Sequence, residues 1–147
     1  VATGLFTDVE ADSLLRETLS EIHARSRGEH HHAFAWEESK TASVRGWVYF
    51  AKEEKAEGVW NLWWIGVVPG CHGSGIGTAL LTFVEGFVRA AGARLLLVET
   101  ASTDGLAKAR SFYRGRLYRD CGTIPEYYGP GSGKVTFVKR FITGADR

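Results

Sequence analysis

The chain has 147 residues, 44% of them hydrophobic and 24% charged, with a net charge of +1. That composition describes one domain over 1–147 with enough apolar material for a proper core. Near-neutral charge removes the electrostatic case for nucleic acid or an anionic membrane surface, and neither a membrane-length apolar run nor a signal-peptide pattern is present. Two cysteines, Cys71 and Cys121, make no disulfide framework, so a cytoplasmic setting is the expectation. The sequence opens on Val1 and contains no Met, so residues ahead of Val1 are expected to be missing.

Taken in order, Thr7-Asp8-Val9-Glu10 has the spacing of a capping box, and Val9, Leu14, Leu15, Leu19 and Ile22 follow as an apolar stripe. A helix over 8–27, stopped at Gly28, is the natural reading. His30, His31 and His32 invite a metal site, but adjacent strand residues face opposite ways and no carboxylate or Cys stands at ligand spacing. A solvated strand entry is the better reading, with no metal expected. Ala33 to Trp36 and Val44 to Ala51 read as strands joined by a polar turn. Trp60 to Val68 is almost continuously apolar, which suits a strand buried on both faces.

Pro69 to Gly75 is a glycine-rich loop. Ile76, Leu80, Phe83, Val84 and Phe87 then recur at helical spacing to about Ala91, with Gly92 as C-terminal cap. Arg94 to Thr100 is a second buried strand, parallel to the first through the helical crossover. Ser102, Thr103 or Asp104 caps a short helix carrying Leu106, Ala109, Phe112 and Tyr113. Strands over Leu117 to Ile124 and Lys134 to Ile142 close the chain around an aromatic, glycine-rich loop from Pro125 to Gly133. The fold class is α+β: a mixed sheet with helices on both sides.

Strand, glycine loop and helix aim unpaired backbone N–H groups at one point, the way a protein holds phosphate without side chains. The glycines select the motif. A Walker loop needs Lys after glycine, and none is here; G-x-G-x-x-G from Gly73 and Gly75 ends on Thr78. The pattern Q/R-x-x-G-x-G/A fits as His72-Gly73-Ser74-Gly75-Ile76-Gly77, with His72 at its head in place of Gln or Arg. This loop resembles the pyrophosphate loop of the GNAT superfamily of N-acetyltransferases. A second signature of that family, A-x-x-x-Y followed by Gly-Phe/Tyr, stands as Ala109-Arg-Ser-Phe-Tyr113 and Leu117-Tyr118, with Leu117 in the glycine's place.

The resemblance implies a sheet whose central parallel strands splay apart to hold acetyl-CoA. Carried over by position, the pantetheine arm pairs with the edge from Ile65 to Val68, including Val67. The diphosphate lies over His72, Gly73, Ser74, Gly75, Ile76, Gly77 and Thr78. Lys108 or Arg110 is in reach of the outer phosphate, though a solvated helix face accounts for them equally well. Tyr113 is expected as general acid to the departing thiolate. Asn61 stands where many relatives carry a carboxylate and cannot take a proton. Glu99 is the best-placed base, with Glu126 and Tyr128 next. Of the five tryptophans most belong to the core, but one or two lining the acceptor site would favour a flat or cationic substrate. Cys71 reads as a small loop residue rather than a nucleophile. The implied activity is direct acetyl transfer to the primary amine of a small molecule or amino-acid-like acceptor, with a homodimer possible as the assembly. The alternatives are a non-catalytic acyl-CoA-binding module and, third, a nucleotide-binding module.

Overall fold

The computed structural model describes residues 30–141. The predicted helix over 8–27, the segment before it and the chain end after Phe141 lie outside those residues. Six strands form one sheet: β1 (His31–Glu38), β2 (Ser43–Lys52), β3 (Val59–Val67), β4 (Leu95–Ala101), β5 (Arg119–Gly129) and β6 (Ser132–Arg140). Two helices accompany them, α1 (Ile76–Ala90) and α2 (Ala107–Arg114). The strand order is β1-β2-β3-β4-β6-β5, and β3 with β4 is the parallel pair among antiparallel neighbours. No helix among the described residues is long and apolar enough to cross a membrane.

Both helices lie on the same face. A Cβ added at Gly77 of α1 would stand 3.8 Å from the Phe112 ring of α2, and the Tyr118 hydroxyl, just beyond α2, donates to Glu85 of α1 at 3.0 Å. Leu80, Leu81, Val84 and Val88 of α1 are buried against Val48, Phe50, Trp60, Leu62, Leu96 and Phe137. Each such side chain contributes about 1.5–3 kcal/mol through burial. The buried stripe therefore takes in Leu81 and Val88, while Phe83 turns to the rim and meets Phe34 edge-on at 4.8 Å. Gly46 sets the depth of this packing: a Cβ there would come within 2.9 Å of both Ile76 and Leu80. The first turn of α1 thus lies directly on β2. Gly92 caps α1 in the left-handed region (φ 80°), as the sequence suggests.

Three expectations are corrected. β3 is not buried on both faces throughout: Val59, Trp60 and Leu62 are buried, but Trp63 is 48% exposed. The cause is the neighbour strand, since β3 pairs with β4 from Val59–Leu95 to Leu62–Val98 and no further. The segment from Pro125 is not a loop but the outer half of β5, with only Pro130 and Gly131 left as the turn. Two register breaks and a positive φ at Glu126 (53°) bend that strand while keeping it paired with β6. Leu117 does not begin a strand. It is 84% exposed with φ 65°, in a turn that suits glycine.

Candidate active site

The glycine loop grows out of the end of β3. Pro69–Cys71 makes one tight turn in which the Cys71 amide donates to Val68 O at 2.9 Å and the Ser74 hydroxyl donates to Cys71 O. Gly73 (φ 78°) and Gly75 (φ 88°) both take left-handed backbone, and a Cβ at either would meet nothing within 4 Å. These glycines are thus required by conformation, and they leave the loop open to approach from outside. The first helical bond of α1 is Ala79 N–H to Gly75 O at 2.9 Å. The amides of Ile76, Gly77 and Thr78 come before it, and no side chain caps them. No acidic residue occupies that first turn, so an anion would meet the positive end of the helix unopposed.

The slot lies beside the loop. At Trp63 the β2–β3 register shifts, so Tyr49 faces Trp64 while Phe50 faces Leu62. This bulge falls where β3 leaves β4, and beyond it the two strands diverge. A cavity of about 230 Å³ fills the gap. Its walls come from Trp63, Trp64 and Ile65 of β3, Glu99 and Thr100 of β4, Tyr113 of α2 and Tyr128 of β5.

These elements are the parts of a known architecture. A family model described as the acetyltransferase (GNAT) family matches residues 4–117, well over half of the sequence. This chain belongs to the GNAT acetyltransferase family. An uncharacterised N-acetyltransferase of Methanocaldococcus jannaschii is 35% identical over 71 residues, which span 48% of this chain and 44% of that relative. The chain thus matches less than half the length of that curated relative. A crystal structure assigned to the GNAT family from Desulfovibrio desulfuricans superposes with a TM-score of 0.84 at 29% identity, over 95% of this chain and 85% of its own. An aminoglycoside 6'-N-acetyltransferase complexed with coenzyme A shares the fold, with a TM-score of 0.71 at 16% identity over 96% and 91% of the two chains.

Within this GNAT frame the predicted residues divide. Tyr113 and Glu99 line the same cavity, as do Ile65 and Tyr128. Tyr113 is 3% exposed and packs on Tyr118, Phe112 and Phe137 at ring distances of 5.6, 5.3 and 5.9 Å. Burial alone pushes its phenol well above the usual range, and no described residue accepts its hydroxyl hydrogen. It is a neutral donor with nothing to donate to. The Glu99 carboxylate is bound to the Lys134 ammonium at 3.1 Å, and that ammonium sits 4.2 Å over the Tyr127 ring. Burial alone would lower the pKa of Lys134; the Glu99 hydrogen bond and charge more than offset that, and it ends raised. The Tyr128 phenol is raised too, by burial first and then by the Glu99 charge.

Others are occupied elsewhere. The His72 ring is turned back, its Nε2 2.9 Å from Val67 O, and a carbonyl there requires that nitrogen to be the donor. A neutral His72 then has no N–H left for a phosphate. Asn61 donates to Glu53 at 3.3 Å and does not line the cavity, nor does Glu126. Arg110 points inward and donates to Ala101 O at 2.6 Å and Thr103 O at 2.8 Å, fastening β4 to α2. Of the tryptophans, Trp63 and Trp64 reach the cavity, Trp60 is in the core and Trp36 is exposed on β1. His31 bonds the Tyr49 hydroxyl at 2.7 Å, and His32 packs among Phe50, Trp60 and Phe87, which with its histidine neighbours lowers its pKa. Among the described residues no three metal-ligating side chains cluster.

Sequence reasoning missed Arg116. Its guanidinium stacks on the Phe112 ring at 3.7 Å, donates to Phe112 O at 3.2 Å and bonds the Thr78 hydroxyl in the first turn of α1. No described carboxylate pairs with it. The available signal was a cation three residues after the signature tyrosine, on a turn that only tertiary packing brings back to the loop.

Proposed function

We propose that this protein transfers the acetyl group of acetyl-CoA directly to the primary amine of a small, cationic acceptor. The observation that carries the reading is the parting of β3 from β4 immediately before an uncapped, glycine-lined helix N-terminus. The residues fit the co-substrate. Amides of Gly73 and of Gly75 to Thr78 are available to a diphosphate, whereas that of Ser74 donates to Cys71 O at 3.2 Å, and Arg116 supplies the fixed charge that His72 does not. The edge of β3 from Ile65 to Val67, with no β4 partner, offers backbone groups to an extended arm, although Val67 O is already engaged by His72 and the next residue, Val68, is bonded to Arg45 O and by the Cys71 amide.

The chemistry asks little of the protein. The thioester is already activated; the chain must position it, accept the amine's proton and ease thiolate departure. Tyr113 serves the last need as a hydrogen-bond donor. Full proton transfer from phenol to thiolate is uphill here, because burial pushes the phenol up. Glu99 and the ring faces of Trp63 and Tyr128 form the acceptor wall, which favours a protonated amine on approach. Because Glu99 is already paired with Lys134, water carrying the proton onward to that pair is the simplest route for deprotonation.

The same ion pair favours one second reading, an acyl-CoA-binding module without turnover, since among the described residues no unpaired carboxylate lines the cavity. Release of free thiol from acetyl-CoA across a panel of primary amines separates the two. Amine-dependent release supports transfer. Tight acetyl-CoA binding with no release for any amine, small or peptidic, supports the binding module.

A further inference from the structure

Thr100 is the one buried polar side chain among the described residues outside the aromatic and ionic groups, with 6% of its surface exposed. Its hydroxyl has no hydrogen-bond partner. A buried hydroxyl left unpaired costs on the order of 1–3 kcal/mol, so a packed strand gains nothing from it. Two residues on, Ser102 shows the ordinary arrangement: its hydroxyl accepts the Gly133 amide at 2.8 Å. Thr100 differs by position. Its backbone pairs with Val135 of β6 on one side, but on the other side β3 has already left, two residues earlier. The side chain lines the cavity together with the phenols of Tyr113 and Tyr128. Leu62, Val98, Leu106 and Ala109 supply an apolar part of the same wall.

We infer that Thr100 is a positioning residue whose hydroxyl holds an amide of the pantetheine arm in the slot between β3 and β4, an inference that rests on the acetyl-CoA reading above. An amide buried between apolar walls must keep both its donor and its acceptor satisfied. A hydroxyl can give and take a hydrogen bond, so it matches an amide better than it matches a thioester carbonyl, which only accepts weakly. Fixing the amide fixes the sulfur a few bonds away, in reach of Tyr113. The unpaired hydroxyl is then a partner held ready for ligand.

The test measures affinity and stability together, by titrating CoA and acetyl-CoA into the parent, Thr100→Val and Thr100→Ser, and by thermal unfolding of each. Valine matches threonine in shape and removes only the hydroxyl. Thr100→Val is expected to bind both ligands about tenfold more weakly while melting at the parent temperature or higher, and Thr100→Ser to bind as the parent does. Equal binding by parent and Thr100→Val overturns the inference while leaving the acetyl-CoA reading intact. A lowered melting temperature with unchanged affinity overturns it as well, because the hydroxyl would then be structural. A loss confined to acetyl-CoA overturns the amide assignment, since CoA carries the same amides. A parent that binds neither ligand removes the acetyl-CoA reading and this inference with it.

Discussion

β3 has two halves that are both rich in apolar residues and have opposite fates. From Val59 to Leu62 against Leu95 to Val98 the strands pair, and their inward side chains disappear into the core. From Trp63 and Glu99 onward they part, and Trp63, Trp64 and Ile65 of β3, no less apolar than the paired half, become walls of a cavity. Hydrophobicity does not separate the halves. The bulge at Trp63 does, because one extra residue turns the strand away from its partner and frees a row of backbone groups. An apolar run thus marks where a strand will be, and its pairing decides whether the strand is core or site.

The contrast can be broken most severely at the loop. Gly77→Glu is expected to weaken acetyl-CoA binding by at least a hundredfold, measured calorimetrically. The fold should hold, since a Cβ there meets its neighbours at an ordinary 3.7–3.8 Å and an acidic group in a first helical turn is mildly stabilising. Binding and stability should therefore move in opposite directions. Inside the slot, Tyr113→Phe should lower kcat by about tenfold with KM and melting temperature nearly unchanged, because the lost hydroxyl bonds nothing in the free protein. A hundredfold loss would mean that the phenol delivers its proton outright.

Arg116→Gln sharpens the comparison from the loop's flank. Loss of one fixed charge should weaken acetyl-CoA binding about fivefold, with a shallower dependence on salt than the parent shows. The smallest effect lies away from both halves. Leu117→Gly should raise stability by roughly 0.5–1 kcal/mol in denaturant melts, by relieving left-handed backbone at an exposed side chain while giving back some chain entropy. Catalysis should not change.

Element order and the phosphate loop were legible because they rest on local rules. The strand ending at Pro69, the left-handed glycines and the stripe on α1 each declare themselves within a few residues. The signature alanine and tyrosine placed α2 and Tyr113 for the same reason. What stayed hidden depends on distant partners. Nothing near His72 announces that its ring will turn back to Val67 O, and nothing near Arg110 announces that it will fasten β4 to α2. Glu99 stood out as a carboxylate at a strand end, yet its pairing with Lys134 is made by β4–β6 register. The late tyrosines read as a loop because glycine and proline surround them, and the strand they form needs β6 as its template.

The outer half of β5 carries a consequence for how this protein can change. The loop proposed to hold the diphosphate, from the end of β3 through the first turn of α1, is one unbroken stretch of chain. Tyr128 reaches the cavity from the far edge of the sheet, on an irregular hairpin whose bulges already tolerate altered spacing. Selection can therefore rewrite the Tyr128 side of the proposed acceptor wall without disturbing the loop proposed to grip the donor. In such a molecule a shift of substrate is a small evolutionary step, and loss of the acetyl donor a large one.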